Sequence, residues 1–178
     1  GGKIGRMILD VEVSKNFRPT GITGPIAAAA AGAKLLGLDS EATITALAIA
    51  ANAAAGYNEW AATGGSEMYF HTGFAARSGV AAAQLAADGA YASRTALDGA
   101  AALLAAFHKD LRPPIPDPFT DRPEILAVFF KPVPACNFAQ SAAQSAMAIT
   151  KLKRVRASEV ERMVVLVTRA ASVYRVCN

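Results

Sequence analysis

The fold is decided by residues 25–56, which read PIAAAAAGAKLLGLDSEATITALAIAANAAAG. The opening proline stands where a helix can begin, since its missing N–H group costs no hydrogen bond in a first helical turn. The alanines favour helix and let neighbouring helices approach closely. We predict a helix over residues 27–36 that stops at Gly37, and a second helix that Asp39 or Ser40 caps. Two helices joined by so short a turn are antiparallel neighbours.

The alanine bias extends well beyond this stretch. Apolar residues make up 53% of the 178 residues and charged residues only 18%, which excludes a disordered chain. The length is enough for one domain core, or for one core and part of another. A surface so poor in charge indicates helices that pack on several sides, including against a partner subunit.

Outside the helical pair, the sequence pattern predicts further helices, then a proline-rich segment, and then two strands and a helix. A loop rich in polar and aromatic residues is predicted over 56–72, and the helical patterns lie at 3–14, 72–88, 93–97 and 100–107. Residues 112–123 contain five prolines, which no helix tolerates. After them, apolar or valine-rich runs predict strands at 125–130 and 163–168, and a helix is predicted over 138–151.

These patterns divide the chain into three predicted parts. They are a helical domain over residues 1–111, a proline-rich linker over 112–124, and an α+β domain over 125–178. Two strands and one helix bury too little surface to stand alone. We therefore expect the α+β part to be incomplete and the chain to belong to a longer protein.

Charge and hydropathy exclude two classes of partner. Basic side chains are scattered except in residues 151–156. A phosphate contact is one interpretation of that run, but no aromatic residues interleave with it as a single-strand binder needs, so we favour a solvated helix end and expect no nucleic-acid partner. The apolar stretches are shorter than the roughly 20 residues that span a bilayer, so we expect no membrane partner.

The two cysteines, Cys136 and Cys177, make neither a disulfide framework nor a zinc site. We interpret both as reduced thiols. Together with a start that lacks the apolar core of a signal peptide, they lead us to expect a cytoplasmic protein.

His71 is the first candidate for chemistry. It lies between Tyr69-Phe70 and Thr72-Gly73, where a helix is predicted to begin. A capping or packing histidine explains the same spacing and is favoured by it. No second histidine or cysteine stands at ligand spacing, so no metal site is predicted. The other histidine, His108, is interpreted as solvated.

The second candidate is the segment KPVPACN, residues 131–137. Lys131 follows a predicted buried strand, and the double-proline turn after it fixes the direction of side chains. A surface lysine at a strand end is an equally good interpretation. Cys136 can exchange a proton if Lys131 stabilises its thiolate; otherwise it is an inert buried thiol.

Three segments together resemble the MmgE/PrpD family. FRPTGITGP over residues 17–25, an alanine run, and KLLGLD over 34–39 resemble the family's F-H-P-T-G, alanine-rich helix and K-L-L-G-L. HTGFAARSG over 71–79 resembles its next signature, a histidine and glycine that open a helix. KPVPAC over 131–136 resembles its K-x-x-P-x-C loop. The three occur in family order with family-like spacing.

The resemblance implies a mainly α fold: part of an all-helical domain, followed by the start of an α+β lid domain. Family members include 2-methylcitrate dehydratase, cis-aconitate decarboxylase and iminodisuccinate epimerase, with the active site in the cleft between the two domains. They need no metal or organic cofactor and are usually homodimers. The resemblance therefore implies no cofactor, a homodimer, and a small anionic carboxylate as substrate.

Individual positions both follow the family pattern and depart from it. Arg18 stands where the family usually has histidine before Pro-Thr-Gly, and Met68 stands where decarboxylase-like members have lysine. The lid lysine is retained as Lys131, whereas Cys136 stands where those members have histidine. The resemblance thus argues against a cis-aconitate decarboxylase.

The implied chemistry is proton removal next to a carboxylate, and the developing enediolate needs cations or N–H donors around it. The candidate catalytic residues are His71, Lys131, Cys136 and Tyr69, and the candidate substrate-binding residues are Arg18, Thr20, Met68 and Arg77. For Arg77, an ion pair on the face of its helix is an equally good interpretation. The hypothesis is a dehydratase or an epimerase. The alternative is a non-catalytic, truncated or degenerate helical dimerisation module.

Overall fold

The computed structural model describes residues 1–107 and 123–174. The chain divides into two compact units, residues 1–124 and residues 125–178. His108, Cys177 and most of the predicted proline-rich linker lie outside the described residues. The fold is mainly α, as predicted.

The described residues of the first unit are mainly helical. Its helices are α1 (Gly2–Ile8), α2 (Val11–Asn16), α3 (Pro19–Leu36), α4 (Ser40–Ala51), α5 (Trp60–Thr63), α6 (Glu67–Ala87) and α7 (Leu103–Phe107). The turn between α3 and α4 is as predicted. Gly37 ends α3 with a left-handed φ of 67°, and the carboxylate of Asp39 accepts a hydrogen bond from the backbone N–H of Ala42 at 2.8 Å.

The start of α3 differs from the prediction, because Pro25 lies inside the helix and not at its beginning. A proline within a helix leaves the carbonyl four residues earlier without its usual N–H donor. Here that carbonyl belongs to Gly21, and it accepts a hydrogen bond from the backbone N–H of Ala55 at 3.2 Å. A tertiary bond thus replaces the missing helical one and lets α3 run past its proline.

The predicted loop over 56–72 is also wrong in extent. It contains the short helix α5, and α6 begins at Glu67, so His71 lies within a helix and not at its start. In the other direction α4 stops at Ala51, before the predicted Gly56. The side-chain amide of Asn52 ends that helix by donating to the carbonyl of Ala48 at 2.9 Å.

Small residues set the contact between α3 and α6. A β-carbon added at Gly79 would lie 2.3 Å from the carbonyl oxygen of Pro25 and 2.5 Å from the β-carbon of Ala28. One added at Gly24 would lie 2.8 Å from the β-carbon of Ala75. The core around this contact consists mainly of alanine and isoleucine, including Ile8, Ile22, Ile26, Ala29, Ala33, Ala46, Ala50, Ala82 and Ala83.

The second unit contains α8 (Gln140–Leu152), α9 (Arg169–Val173) and two 3-10 turns, Asn137–Ala139 and Ala157–Glu159. A further 3-10 turn, Glu124–Ala127, spans the boundary between the units along the chain. The helix predicted over 138–151 is confirmed by α8.

The two strands predicted in this unit are wrong, because the described residues of the chain contain no strand. Both apolar runs lie on the surface; Phe130 is 96% exposed and Leu166 is 93% exposed. A strand needs a neighbour to satisfy its backbone donors and acceptors, and neither run has one among the residues described. Also within the described part, no helix combines the length and hydropathy that crossing a membrane requires.

Candidate active site

Asn58 joins the end of α2 to the segment that follows α4. Its buried side-chain amide donates to the carbonyls of Ser14 at 2.7 Å and Phe17 at 2.9 Å. Its backbone N–H donates to the carbonyl of Asn16 at 2.9 Å, and its amide oxygen accepts from the indole N–H of Trp60 at 3.2 Å. The first three hydrogen bonds hold the two segments side by side, and the bond from Trp60 is made within the segment of Asn58; we call this arrangement the Asn58 clasp.

Two glycines let the backbone come close beneath the clasp. A β-carbon at Gly21 would lie 1.8 Å from the carbonyl oxygen of Ala55, so no other residue fits there. Gly56 has a φ of 106°, which side-chain-bearing residues rarely adopt. Its carbonyl accepts a hydrogen bond from the backbone N–H of Arg18 at 2.8 Å. The start of α3 therefore lies directly against the chain that leaves α4.

His71 faces this glycine contact from α6. It is 8% exposed, and a β-carbon added at Gly56 would lie 3.4 Å from its Nδ1 atom. That nitrogen is buried and has no hydrogen-bond partner among the described residues. A buried polar atom left unpaired costs roughly 1–3 kcal/mol, and such atoms concentrate where a function requires them.

Arg18 lies beside the histidine and is held in place on two sides. Its Nη1 donates a hydrogen bond to the carbonyl of Met68 in the first turn of α6. Its guanidinium carbon lies 5.8 Å from the centre of the Trp60 ring, within the range of a cation–π contact. Arg18 thus joins the start of α3 to the start of α6.

Burial controls the charge of His71. Loss of hydration lowers the pKa of its imidazole below the ordinary 6.5, and the positive charge of Arg18 lowers it further. The carboxylate of Glu67, one turn earlier in α6, opposes these two effects. The imidazole is therefore neutral at pH 7, in the form that can accept a proton.

The other candidates in the first unit lie in different surroundings. Tyr69 is 74% exposed, and Thr20 is half-buried in the first turn of α3. Met68 contributes its carbonyl to Arg18. Arg77 is exposed and stacks on Phe74, with its guanidinium carbon 5.3 Å from the ring centre. The described part of the chain offers Arg77 no ion pair.

In the second unit, Lys131 and Cys136 lie in one tight loop. The Lys131 side chain is exposed, and its Nζ donates to the carbonyl of Ala135 at 3.3 Å. Cys136 is half-buried. The first residue of α8, Gln140, was not a candidate from the sequence, and its buried side chain bonds to the loop backbone.

Sequence patterns missed several residues that build these sites. Asn58, Gly56 and Gln140 have no motif spacing of their own. The one available signal for Asn58 and Gly56 is their position in a polar, aromatic segment directly after an alanine-rich helix. Within the described ranges, no three histidine, cysteine or acidic side chains cluster as metal ligands would.

Comparison with known proteins places this geometry in context. A family model described as the MmgE/PrpD N-terminal domain matches residues 2–115. The match includes the start of α3, the Asn58 clasp and His71, whereas the loop with Lys131 and Cys136 lies beyond it. No curated protein sequence matches the chain.

Proposed function

The chain belongs to the MmgE/PrpD family, and we propose that it is an enzyme acting on a small di- or tricarboxylate. It removes a proton next to a carboxylate, as a dehydratase or an epimerase does. The observation that carries the proposal is His71, a buried histidine with a lowered pKa and an unpaired Nδ1 atom. Burial and perturbed ionisation in one residue are typical of catalytic sites.

The neutral imidazole suits a general base, which must be unprotonated at the working pH. Nδ1 is the nitrogen that faces the backbone of Gly56. We assign proton exchange with the substrate to Nε2, and a base at Nε2 requires the hydrogen on Nδ1. Tyr69 is the neighbouring alternative for this role.

Arg18 supplies the positive charge that the reaction needs. A guanidinium has five N–H donors, and the Met68 carbonyl uses one of them. The remaining donors can bind a substrate carboxylate through two parallel hydrogen bonds. As negative charge moves onto that carboxylate in the enediolate, the fixed cation stabilises the transition state more than the ground state.

We assign further roles to residues outside this cluster. In the second unit, we propose that Lys131 binds a carboxylate and that Cys136 is a proton carrier beside it. Thr20, Met68 and Arg77 complete the set of proposed substrate contacts. We propose that the enzyme works without metal or organic cofactor and is cytoplasmic.

The experiment is proton exchange in deuterated water with a panel of dicarboxylates and tricarboxylates, followed by loss of the carbon-bound proton signal in NMR spectra. His71→Asn should slow exchange by at least about 100-fold, the usual contribution of a general base. Tyr69→Phe tests the alternative base, and Tyr91→Phe, at a 90% exposed position, is the control. Absence of exchange and turnover across the whole panel would reject the enzyme.

A second candidate function is a non-catalytic dimerisation module. Phe70 and Phe74 stack on the outer face of α6, and Leu85 follows on the same face. Each of the three is at least half exposed. A partner subunit that covers this apolar stripe would remove it from water. The same stripe supports the homodimer that we propose for the enzyme.

Sedimentation, which measures the oligomeric state, and proton exchange together distinguish the dimerisation module from the enzyme. Phe74→Glu should shift the chain from dimer to monomer, whereas Thr72→Glu, exposed on another face of α6, should not. A dimer without proton exchange supports the module, and a dimer with exchange supports the enzyme. A wild-type monomer would contradict the dimer in both.

A further inference from the structure

Gln140 binds the Lys131–Cys136 loop through both ends of its side-chain amide. The residue is 7% exposed and is the first of α8. Its Nε2 donates to the carbonyls of Val133 at 2.8 Å and Ala135 at 3.0 Å, with a longer contact to that of Cys136 at 3.4 Å. Its Oε1 accepts from the backbone N–H of Val133 at 3.2 Å.

The loop needs such a side chain because it is poor in backbone donors. Pro132 and Pro134 have no N–H group. Between loop backbone groups, the N–H of Ala135 donates to the carbonyl of Val133 at 2.8 Å. The side-chain amide of Gln140 thus makes the hydrogen bonds that backbone groups of a turn or a strand pair would make in a loop without prolines.

The same hydrogen bonds reach Lys131. Its Nζ donates to the carbonyl of Ala135, and that carbonyl also accepts from Nε2 of Gln140. The ammonium group is therefore placed by an oxygen that Gln140 holds. The next carbonyl in the chain, that of Cys136, contacts the same nitrogen, so the amide sets the backbone on which both candidate groups stand.

We infer that Gln140 is the positioning residue for Lys131 and Cys136, an inference that rests on the proposed function for its catalytic meaning. It acts through the loop backbone and does not itself touch the substrate. An amide is required because it donates and accepts at once. A carboxylate of the same size can accept from Val133 but cannot donate to the three carbonyls.

The experiment compares Gln140→Glu and Gln140→Leu with a matched control, Gln144→Leu. Gln144 is exposed one turn further along α8, and its amide donates to the carbonyl of Gln140 in the same helix. Two readouts are independent of turnover. They are the alkylation rate of Cys136, followed by peptide mass spectrometry, and the NMR signal of the Lys131 amine after reductive methylation with a carbon-13 label.

Both Gln140 variants should raise the alkylation rate of Cys136 by about tenfold, because two or three hydrogen bonds that close the loop are lost. The Lys131 signal should shift or broaden, and Gln144→Leu should change neither readout. Circular dichroism checks that each variant has the helix content of the wild type. If Gln140→Leu loses α8, Gln140→Glu decides the matter, since it preserves the size of the side chain.

If Gln140→Glu showed the wild-type alkylation rate at Cys136 and the wild-type NMR signal of Lys131, the inference would be overturned. A catalytic effect is measured separately: for a substrate that the wild type turns over, Gln140→Glu should change the pH profile of kcat, because Lys131 has lost its fixed place. If the wild type turns over no substrate, the proposed function fails while the two loop readouts still test Gln140.

Discussion

Gly79→Ala tests the close contact between α3 and α6, and Gly73→Ala in the same helix provides its control. Alanine is more favourable than glycine inside a helix by about 1 kcal/mol, so propensity alone would stabilise both variants. At Gly73 an added β-carbon meets no atom within 4 Å. Gly73→Ala should therefore raise the free energy of unfolding by the full amount of about 1 kcal/mol that helix propensity provides.

At Gly79 the same methyl group meets backbone. It would lie 2.3 Å from the carbonyl oxygen of Pro25 and 2.7 Å from the backbone nitrogen of Ala29. Neither atom can rotate away, so α3 must move by roughly 1 Å to restore a separation of about 3.5 Å. Overpacking costs about 1–3 kcal/mol, and contact with a helix backbone belongs at the upper end.

The net expectation is a loss of about 2 kcal/mol for Gly79→Ala against a gain of about 1 kcal/mol for Gly73→Ala. The two variants should then differ by about 3 kcal/mol in unfolding free energy, or roughly 6–12 °C in Tm. Urea and thermal unfolding followed by circular dichroism at the helical band measure both. Equal stabilisation of the two variants would refute the close packing of α3 on α6.

Three further predictions concern the candidate site. Burial lowers the pKa of His71 in the folded chain. Below about pH 6.5 the unfolded chain therefore binds more protons than the folded chain. The free energy of unfolding should then fall by up to about 1.4 kcal/mol per pH unit until the pH reaches the folded pKa of His71. Urea unfolding between pH 5 and 8 should show this slope, and His71→Gln should remove it. Asn58→Ala should cost about 1–3 kcal/mol, since the half-buried carbonyls of Ser14 and Phe17 lose their donor. Asn52→Ala, at an exposed helix cap, should cost about 1 kcal/mol or less in the same assay, and equal losses would contradict the clasp. Gly21→Ala should be the most damaging of these substitutions in thermal unfolding, because its β-carbon would lie 1.8 Å from a carbonyl oxygen; a wild-type Tm would contradict that contact.

Local chemistry made part of the fold predictable. Gly37 and Asp39 end and begin helices through groups within their own turns, so the sequence alone predicts the stop at Gly37 and a start capped by Asp39 or Ser40. The helix after residue 137 was found for a similar reason, since it follows a double-proline loop and has a continuous helical pattern. The family resemblance also came from contiguous motifs, and the match over residues 2–115 confirms it.

The failures have tertiary causes. Pro25 was placed at a helix start because nothing local shows that Ala55 donates to the Gly21 carbonyl. The composition of the apolar runs at 125–130 and 163–168 predicts strands, but strand formation depends on a neighbour that composition cannot supply. His71 was found from a motif, whereas its burial and unpaired nitrogen depend on Gly56, fifteen positions earlier in the sequence.

The Asn58 clasp has a consequence for the order in which the chain folds. It joins residues 14–17 to residue 58 and so closes a loop of about 40 residues, whose entropic cost grows with the logarithm of its length. Formation of the α3–α4 hairpin first brings the two ends together, so closure then restricts far less chain. The clasp should therefore form late, and its bonds should be among the first to open. Hydrogen exchange at the backbone N–H of Asn58, which donates to the carbonyl of Asn16, would then report local opening of the candidate site while the amides of the α3–α6 core remain protected.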